Sequence, residues 1–233
     1  MNLALFDLDH TLLPIDSDYE WSRFLARAGV IDGQAHEREN DRFYRDYQAG
    51  TLDIDAFLAF QLAPLAQQPP ETLEAWHQRF MTEVIEPALL PSARDLVMRH
   101  RSRGDLIAVV TATNAFVTAP IARAFGISHL IATELETDGE GLYTGRPRGV
   151  PSFREGKITR TLAWLASLGH ALERFDQSWF YSDSRNDLPL LELVSHPVAT
   201  NPDPVLHVTA IERGWPILRL FEGWSAPTPV RGA

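Results

Sequence analysis

The sequence predicts an α/β protein with a doubly wound, mostly parallel sheet and a block of helices inserted after the first strand. Continuous apolar runs, typical of buried parallel strands, alternate with helical segments after Pro91. The stretch 19–84 instead has apolar residues three and four apart, as amphipathic helices do. With 233 residues, of which 45% are hydrophobic, the chain can form a core domain that carries such an insertion.

The first strand is the apolar run Leu3–Phe6, which ends at Asp7. Four helices are predicted within 19–84, because Gly and Pro residues interrupt the helical spacing three times. These breaks fall at 29–33, 50–51 and 67–70. Pro14 and the proline-containing stretch 87–91 mark the two places where the helical insertion joins the remainder of the chain.

Helices and strands alternate in the second part of the chain. The predicted helices are 92–101, 116–125, 155–168 and 188–194. The predicted strands are 106–110, 130–135, 179–181, a short strand around Val198 and 216–220, with a hairpin through 138–144. Such alternation builds a parallel sheet with helices on both faces, and ligands bind at the carboxyl ends of its strands. We expect 223–233, which carries Pro, Ser and Gly, to be a flexible tail.

Charge and composition exclude several classes of protein. The chain has 21 basic and 31 acidic residues, and a net charge of -10 disfavours binding to nucleic acid or to anionic lipid. It has no cysteine, which excludes disulfides, thiolate nucleophiles and cysteine-built metal sites. No apolar run reaches the roughly 20 residues of a membrane span, and no secretion signal is recognisable. We expect a cytoplasmic monomer or weak dimer.

Polar side chains follow three of the predicted strands. They are Asp7, Asp9 and Thr11 after the first strand, Thr111 and Asn114 after 106–110, and Asp183 and Asp187 after 179–181. Because the carboxyl ends of parallel strands meet at one edge, these groups should converge. Four carboxylates need a compensating cation, and hard oxygen ligands select Mg²⁺. The sequence therefore predicts a Mg²⁺ site at Asp7, Asp9, Asp183 and Asp187.

The pattern Asp7-x-Asp9-x-Thr11-Leu after an opening strand resembles motif I of the haloacid dehalogenase superfamily. Thr111 matches the motif II hydroxyl, Lys157, the only lysine, matches motif III, and the Asp183 and Asp187 pair matches motif IV. The resemblance spans nearly the whole chain and is similar to the phosphoserine phosphatase-like subfamily IB. It implies a Rossmann-like core over 1–14 and 88–222, with a helical type 1 cap over 15–87.

The resemblance also implies a phosphatase mechanism. Asp7 is expected to be the nucleophile that forms an aspartyl-phosphate, and Asp9 the general acid and base. Thr111 and Lys157 are expected to stabilise the transferring phosphoryl group. The expected Mg²⁺ ligands are Asp7, Asp183, the substrate phosphate and, from Asp9, the backbone carbonyl. Asp187 is expected to hold a metal-bound water or the Lys157 ammonium.

Several of these residues have an alternative structural role that the sequence leaves open. Asp187 could cap the helix predicted at 188–194, and Asn114 could either cap the next helix or contact the phosphate. Asp16 stands where phosphoserine phosphatases place the acidic residue that binds the substrate ammonium. Asp16 and Asp18 could equally cap the first inserted helix. His10 could touch substrate, although a structural role is the better interpretation.

The substrate is predicted less sharply than the reaction. Arg42 and Arg45 are candidates for binding a substrate carboxylate, together with Thr11 as a further substrate contact. Motif II reads Thr-Ala-Thr-Asn where phosphoserine phosphatases have Ser-Gly-Gly, which disfavours phosphoserine. The segment Asp-Leu-Asp-His-Thr-Leu resembles the motif I of a bacterial group of proteins that includes proposed histidinol-phosphate phosphatases. Histidinol phosphate keeps the ammonium group and lacks the carboxylate.

We therefore predict a Mg²⁺-dependent hydrolase of a small phosphomonoester, namely an amino alcohol phosphate such as L-histidinol phosphate or O-phosphoserine. A phosphotransferase or phosphomutase could use the same residues. A phospho-aspartate signalling module also combines an aspartate, a hydroxyl, a lysine and Mg²⁺, but in a chain about half as long and without a cap. A catalytically silent binding protein is disfavoured because the whole set of motif residues is present.

Overall fold

The computed structural model describes residues 1–66 and 68–225, and it confirms the predicted fold class. Within these residues a seven-stranded sheet has the order β4-β3-β2-β1-β5-β6-β7. The strands are β1 (Leu3–Phe6), β2 (Leu106–Asn114), β3 (His129–Thr137), β4 (Tyr143–Arg148), β5 (Ser178–Ser182), β6 (His196–Thr200) and β7 (Ile217–Leu218). All neighbouring strands are parallel except β3 and β4. Most of the predicted tail, 226–233, lies outside the described residues.

The central strand β1 shows why the sheet needs helices on both faces. Alternate side chains of a strand point to opposite faces, and all four residues of Leu3–Phe6 are buried. Leu3 and Leu5 belong to one hydrophobic cluster, whereas Ala4 and Phe6 belong to another. A strand buried on both faces places its carboxyl end, where Asp7 follows, in the interior of the molecule.

Helices cover the sheet and fill the insertion. The insertion contains α1 (Ser17–Arg27), α2 (Gly33–Ala49), α3 (Ile54–Leu62) and α4 (Pro70–Phe80). The later helices are α5 (Pro91–Ser102), α6 (Ala115–Ala124), α7 (Glu155–Ser167), α8 (Leu188–Leu191) and α9 (Pro204–Arg213). The predicted breaks at 29–33 and 50–51 fall between helices, and Gly50 ends α2 with a φ of 72°. The third predicted break includes Gln67, which is outside the described residues.

Several element bounds differ from the sequence-based expectation, and one helix was not expected. Strand β2 continues to Asn114 beyond its predicted end at Val110, and α8 ends at Leu191, three residues early. Helix α9 was not predicted at all. Its N-cap Asp203 and its C-terminal Gly214 are ordinary helix signals, but Val208 on this helix is 53% exposed, so its apolar residues do not mark an inward face.

The inserted helices are joined to the sheet in two ways. Trp21 of α1 and Phe80 of α4 lie in the same hydrophobic cluster as Phe6 of the sheet. At the other end, the last carbonyls of α2 accept hydrogen bonds from core side chains. The Asn186 amide donates to Tyr47 O at 3.2 Å, Arg185 Nη1 donates to Ala49 O at 3.4 Å, and Arg154 donates to Gly50 O.

These contacts hold the end of α2 beside the loop that follows β5. The predicted division into core and cap at 14/15 and 87/88 stays a prediction. None of the helices in the described part of the chain combines the length and the apolar character needed to span a bilayer.

Candidate active site

The loops after β1 and β5 are joined by the hydroxyl of Thr11. Its Oγ1 accepts a hydrogen bond from the Asp183 backbone N–H at 3.0 Å. The same oxygen lies 3.4 Å from Asp7 Oδ2 and 3.4 Å from Asp183 Oδ1. Thr11 is fully buried, so its hydroxyl holds these two carboxylates close together beneath the strand ends.

Lys157 brings its ammonium to the same place from the first turn of α7. Its Nζ donates to Asp7 Oδ1 at 2.8 Å and to Asp187 Oδ2 at 2.7 Å, and the side chain is 2% exposed. Ser182 Oγ donates to the same Asp187 oxygen at 2.6 Å. Burial alone would lower the pKa of Lys157, but the charges of Asp187 and Asp7 outweigh it and raise the pKa above its ordinary value. The ammonium is therefore a fixed positive charge.

The backbone before Lys157 leaves no room for a side chain. A Cβ on Gly156 would overlap the carbonyl oxygen of Pro151. Glycine at this position lets α7 begin close to the preceding loop and points Lys157 at the strand ends.

Negative charge exceeds positive charge around Lys157. Asp7, Asp183 and Asp187 face one ammonium, and all three are buried. Burial, followed by repulsion from Asp7 and Asp187, raises the pKa of Asp183 well above its ordinary value. Asp187 stands at the N-cap position of α8 but makes no capping hydrogen bond, because its carboxylate contacts Lys157 and Ser182 instead. A bound dication would relieve the remaining repulsion.

The donor set fits Mg²⁺. Within residues 1–66 and 68–225, no group of three or more histidine, aspartate or glutamate side chains is arranged to hold a metal ion. Mg²⁺ does not require one, since it usually binds one or two carboxylates and keeps several waters. Asp7 and Asp183, joined through Thr11, offer two hard carboxylates with excess negative charge.

Asp9 is held from a different side. Its Oδ1 accepts from the Ser17 backbone N–H at 2.7 Å, and its Oδ2 accepts from Thr113 Oγ1 at 2.9 Å. Thr111 Oγ1 accepts from the Thr113 N–H at 3.2 Å, which ties motif II to the same corner. Burial, and then the charge of Asp16, raises the pKa of Asp9 to about 6. A carboxyl with this pKa can both donate and accept a proton near neutral pH.

A further acidic group lies at the start of α1. Asp16 caps this helix by accepting from the Tyr19 N–H at 2.8 Å, and burial raises its pKa to about 6. Asp18 lies two residues further, is 3% exposed, and accepts from Asn114 Nδ2 at 3.2 Å. Asn114 also caps α6 by accepting from the Val117 N–H at 3.1 Å. Asp16 and Asn114 thus both perform the capping role that the sequence left open.

Some of these groups line a pocket with room of about 50 Å³, enough for a few water molecules, whereas Asn114, Lys157, Asp183 and Asp187 do not line it. Its polar side is formed by Asp7, Asp9, Asp16, Asp18, Thr111 and Thr113. The aromatic side is formed by Tyr19, Phe43, Tyr44, Tyr47, Phe57 and Phe153. In the described part of the chain no arginine or lysine lines this pocket, and His10 is the basic side chain that lies beside its four carboxylates.

A family model, that of the haloacid dehalogenase-like hydrolases, matches residues 4–192. The chain belongs to this family. A curated relative, the histidinol-phosphatase of Neisseria meningitidis serogroup C (strain 8013), is 51% identical over 217 residues, which are 93% of this chain and 98% of the relative. The predicted family and the predicted class of enzyme, a phosphatase, are confirmed.

Two solved structures are similar to this hydrolase in sequence or in fold. A protein with unknown function from Bordetella pertussis Tohama I is 54% identical, with a TM-score of 0.89 and coverage of 94% of this chain and 99% of that one. A substrate-bound phosphoserine phosphatase is 21% identical, with a TM-score of 0.66 and coverage of 93% and 91%. At this identity the second similarity shows the shared fold alone.

Some of the predicted site residues of this hydrolase do not reach the pocket. Arg42 is exposed and pairs with Glu39 at 2.8 Å, and Arg45 is also exposed. Thr11 lies beneath the site and contacts carboxylates rather than the open pocket. His10 does line the pocket, with a φ of 56° and its Nε2 3.4 Å from the Tyr44 hydroxyl.

Sequence reasoning did not single out Asp18 as a site residue. An aspartate in the first turn of a helix is common and does not indicate a site. Only the fold brings Asp18 next to Asn114, 96 residues away. The aromatic side of the pocket was also missed, although Tyr44 and Tyr47 stand on the helix predicted to carry substrate contacts.

Proposed function

We propose that this phosphatase is a Mg²⁺-dependent phosphomonoesterase acting on the phosphate ester of a small amino alcohol, with L-histidinol phosphate as the favoured substrate. The observation that carries the proposal is the Lys157 ammonium at 2.8 Å from Asp7, beside a pocket that is lined by four carboxylates and by no arginine or lysine of the described residues. The name of the Neisseria relative, histidinol-phosphatase, supports the same substrate.

The reaction follows from the positions of Asp7 and Asp9. An Asp7 oxygen attacks phosphorus, the bond from phosphorus to the alcohol oxygen breaks, and an aspartyl-phosphate forms. Asp9 gives its proton to the departing alcohol oxygen. Asp9 then takes a proton from a water molecule that attacks the aspartyl-phosphate, which releases inorganic phosphate and restores Asp7. Its pKa of about 6 suits both proton transfers.

Fixed charges and hydrogen bonds assist these steps. Lys157 keeps its positive charge beside Asp7 and opposes the charge on the phosphoryl oxygens. The Thr111 hydroxyl donates to one of these oxygens. Bound Mg²⁺ would be held by Asp7, Asp183 and the Asp9 carbonyl, and it would supply positive charge to the phosphoryl group.

The segment 15–87 acts as a cap over the phosphoryl site. The pocket has room for a few water molecules, so we expect α2 to move away when a substrate enters. The hydrogen bonds from Arg154, Arg185 and Asn186 to the end of α2 would break on opening and form again on closing. Closing then excludes water from the reaction.

The charge of the pocket favours an amino alcohol without a carboxylate. Asp16 is suited to bind the ammonium, as the resemblance to phosphoserine phosphatases implies. The additional carboxylate of O-phosphoserine would face like charges, and Arg42 and Arg45 do not line the pocket to balance it. Like charges brought together in a poorly solvated site oppose binding.

The test is phosphate release by the purified protein with and without Mg²⁺. The substrates are L-histidinol phosphate, O-phosphoserine and a panel of sugar and nucleotide monophosphates, with Asp7→Asn as the blank. We expect Mg²⁺-dependent release and a preference for L-histidinol phosphate of about 100-fold in kcat/KM, equivalent to about 2.7 kcal/mol. Equal rates on O-phosphoserine would contradict the substrate, and absence of release from every ester would contradict hydrolysis and favour a phosphotransferase.

A further inference from the structure

Asp18 is a buried carboxylate whose hydrogen bonding the fold leaves incomplete. The residue is 3% exposed, and its Oδ1 accepts from Asn114 Nδ2 at 3.2 Å. Its other oxygen, Oδ2, is buried and has no hydrogen-bond partner within the described residues. A buried polar atom without a partner is costly, so such an atom calls for an explanation.

The fold does not use Asp18 for helix capping. Asp16 already caps α1 through the Tyr19 N–H, and the free oxygen of Asp18 bonds to no backbone group. Within residues 1–66 and 68–225 no salt bridge compensates it either, and its charged neighbours are Asp16 and Asp9. Burial, and then these two charges, raise the pKa of Asp18 well above its ordinary value.

The other polar side chains of the same pocket are satisfied. Gln61 Oε1 accepts from Ser22 Oγ at 2.7 Å, and Asn40 Nδ2 donates to Tyr19 O at 3.2 Å. Asp9 accepts from both Ser17 and Thr113. Asp18 lines this pocket with them and keeps an unused acceptor.

The remainder of the pocket surface suits a positively charged or N–H-bearing group. Aromatic rings, among them Tyr44, Tyr47 and Phe57, face the acidic side. Aromatic faces attract cations and stack on planar nitrogen rings, so the two sides of the pocket favour the same kind of ligand.

We propose that Asp18 is a second recognition carboxylate, which accepts a hydrogen bond from a nitrogen of the leaving group other than the ammonium that Asp16 binds. The pocket then selects phosphomonoesters of alcohols that carry two separate nitrogen donors. This inference rests on the proposed function, since it assigns a role in the same substrate pocket. L-Histidinol phosphate, with an ammonium and an imidazole, has the required pair, whereas phosphoethanolamine has the ammonium alone.

The experiment compares these two esters in wild type, Asp18→Asn and Asp16→Asn, and it measures kcat and KM separately. Asparagine matches aspartate in shape, and its amide oxygen can still accept from Asn114. The decisive quantity is the preference ratio, kcat/KM for L-histidinol phosphate divided by kcat/KM for phosphoethanolamine. We expect Asp18→Asn to lower this ratio by about 10- to 100-fold, mainly through KM, as loss of a charged hydrogen bond does. Asp16→Asn should keep the ratio within about 3-fold, because both esters carry the ammonium.

The outcomes separate this inference from the proposed function. A merely structural Asp18 would lower both kcat/KM values together and leave the ratio unchanged, which would overturn the inference. Wild-type protein that hydrolyses both esters equally would overturn it as well, while leaving the phosphatase proposal intact. Absence of release from either ester by wild type would contradict the proposed function itself.

A measurement on the wild type keeps the inference testable if Asp18→Asn does not fold. L-Histidinol and ethanolamine are compared as competitive inhibitors of the wild-type enzyme. L-Histidinol is expected to inhibit at a concentration at least 10-fold lower than ethanolamine, and equal inhibition would overturn the inference.

Discussion

The carboxylates of the site form two groups, one around Asp7 and one around Asp9, and these groups have different hydrogen-bond partners. On one side, Asp7 and Asp187 both accept from Lys157, and the Thr11 hydroxyl lies between Asp7 and Asp183. On the other side, Asp9, Asp16 and Asp18 have hydroxyl, amide and backbone donors but, within the described residues, no lysine or arginine. We call these the lysine side and the acidic side of the site.

The difference indicates which partner each side requires. The lysine side carries its own cation and can be assembled before any substrate arrives, which suits groups that act on a phosphoryl unit common to all substrates. The acidic side has no lysine or arginine among the described residues, so a positively charged group of the ligand can balance its charge. In such a site the lysine side acts on the phosphoryl group of any substrate, and the acidic side selects the leaving group.

Asp7→Asn should have the largest effect and tests whether the lysine side performs the chemistry. An amide is a far weaker nucleophile than a carboxylate, so we expect kcat to fall by roughly 10⁴-fold or more. The fold should remain, because asparagine has the same shape and can still accept from Lys157. Phosphate release and circular dichroism measure the two effects. A variant that retained a near-normal rate would remove Asp7 as the nucleophile.

Lys157→Met should come next, because it removes the only cation of the lysine side. Asp7 and Asp187 would then be buried without their partner, which costs about 3–5 kcal/mol in the free energy of unfolding. Urea denaturation measures this loss, and phosphate release should fall strongly as well. Arg160→Met on the same helix is the control, since Arg160 is more exposed and contacts Glu134 at 3.4 Å. Equal destabilisation by both variants would contradict the comparison.

Asp18→Asn should have the opposite effect on stability, because it removes charge from the side that has no cation. The folded-state pKa of Asp18 is raised above its ordinary value of 3.8, so its protonated form favours folding. Its contribution to stability is present below pH 3.8 and is lost as the pH rises through the folded-state pKa. We expect the variant to be more stable than wild type by about 1–3 kcal/mol at pH 8.

Urea denaturation at several pH values without substrate checks this sign. The gain should shrink as the pH is lowered through the folded-state pKa and then below 3.8, where the wild-type carboxyl becomes protonated in both states. Asp95→Asn, at an exposed position on α5, is the matched control and should change stability little at any pH. A variant less stable than wild type at pH 8 would show that the anion of Asp18 is satisfied by the fold.

Arg42→Ala and Arg45→Ala should have the smallest effect, since they test whether a cation reaches the acidic side from α2. Both side chains are exposed, and an exposed pair such as Arg42 with Glu39 contributes about 0–1 kcal/mol. We expect kcat/KM for L-histidinol phosphate and for O-phosphoserine to stay within about 2-fold. A selective loss on O-phosphoserine would indicate that an arginine enters the pocket when substrate is bound.

The lysine side could be predicted from the sequence, and the reason is local. Each of its groups follows a strand or begins a helix, and parallel strands bring such positions to one edge. Lys157 stood out because the chain has no other lysine. The topology therefore brings Asp7 and Asp183 to one edge, whereas the position of Lys157 was expected from the resemblance to motif III, because α7 follows the antiparallel strand β4.

The acidic side could not be predicted in the same way. Whether Asp18 is a solvated helix residue or a buried one depends on Asn114 and on the aromatic residues of α2, which only the tertiary fold brings near. Helix α9 shows a related limit. Its N-terminal Asp203 and Pro204 are visible in the sequence, but the outward position of Val208 and Ile211 hides the amphipathic pattern.

Because Lys157 is the only lysine and is 2% exposed, the protein has a built-in chemical reporter. Amine-reactive reagents acylate only a neutral amine, so Lys157 would be labelled only when it leaves Asp7 and Asp187 and loses its proton, and the labelling rate would test the proposed opening of the site. Mass spectrometry of the labelled peptide would follow that opening without any engineered probe. A ligand that keeps the pocket closed would be detected as slower labelling of Lys157.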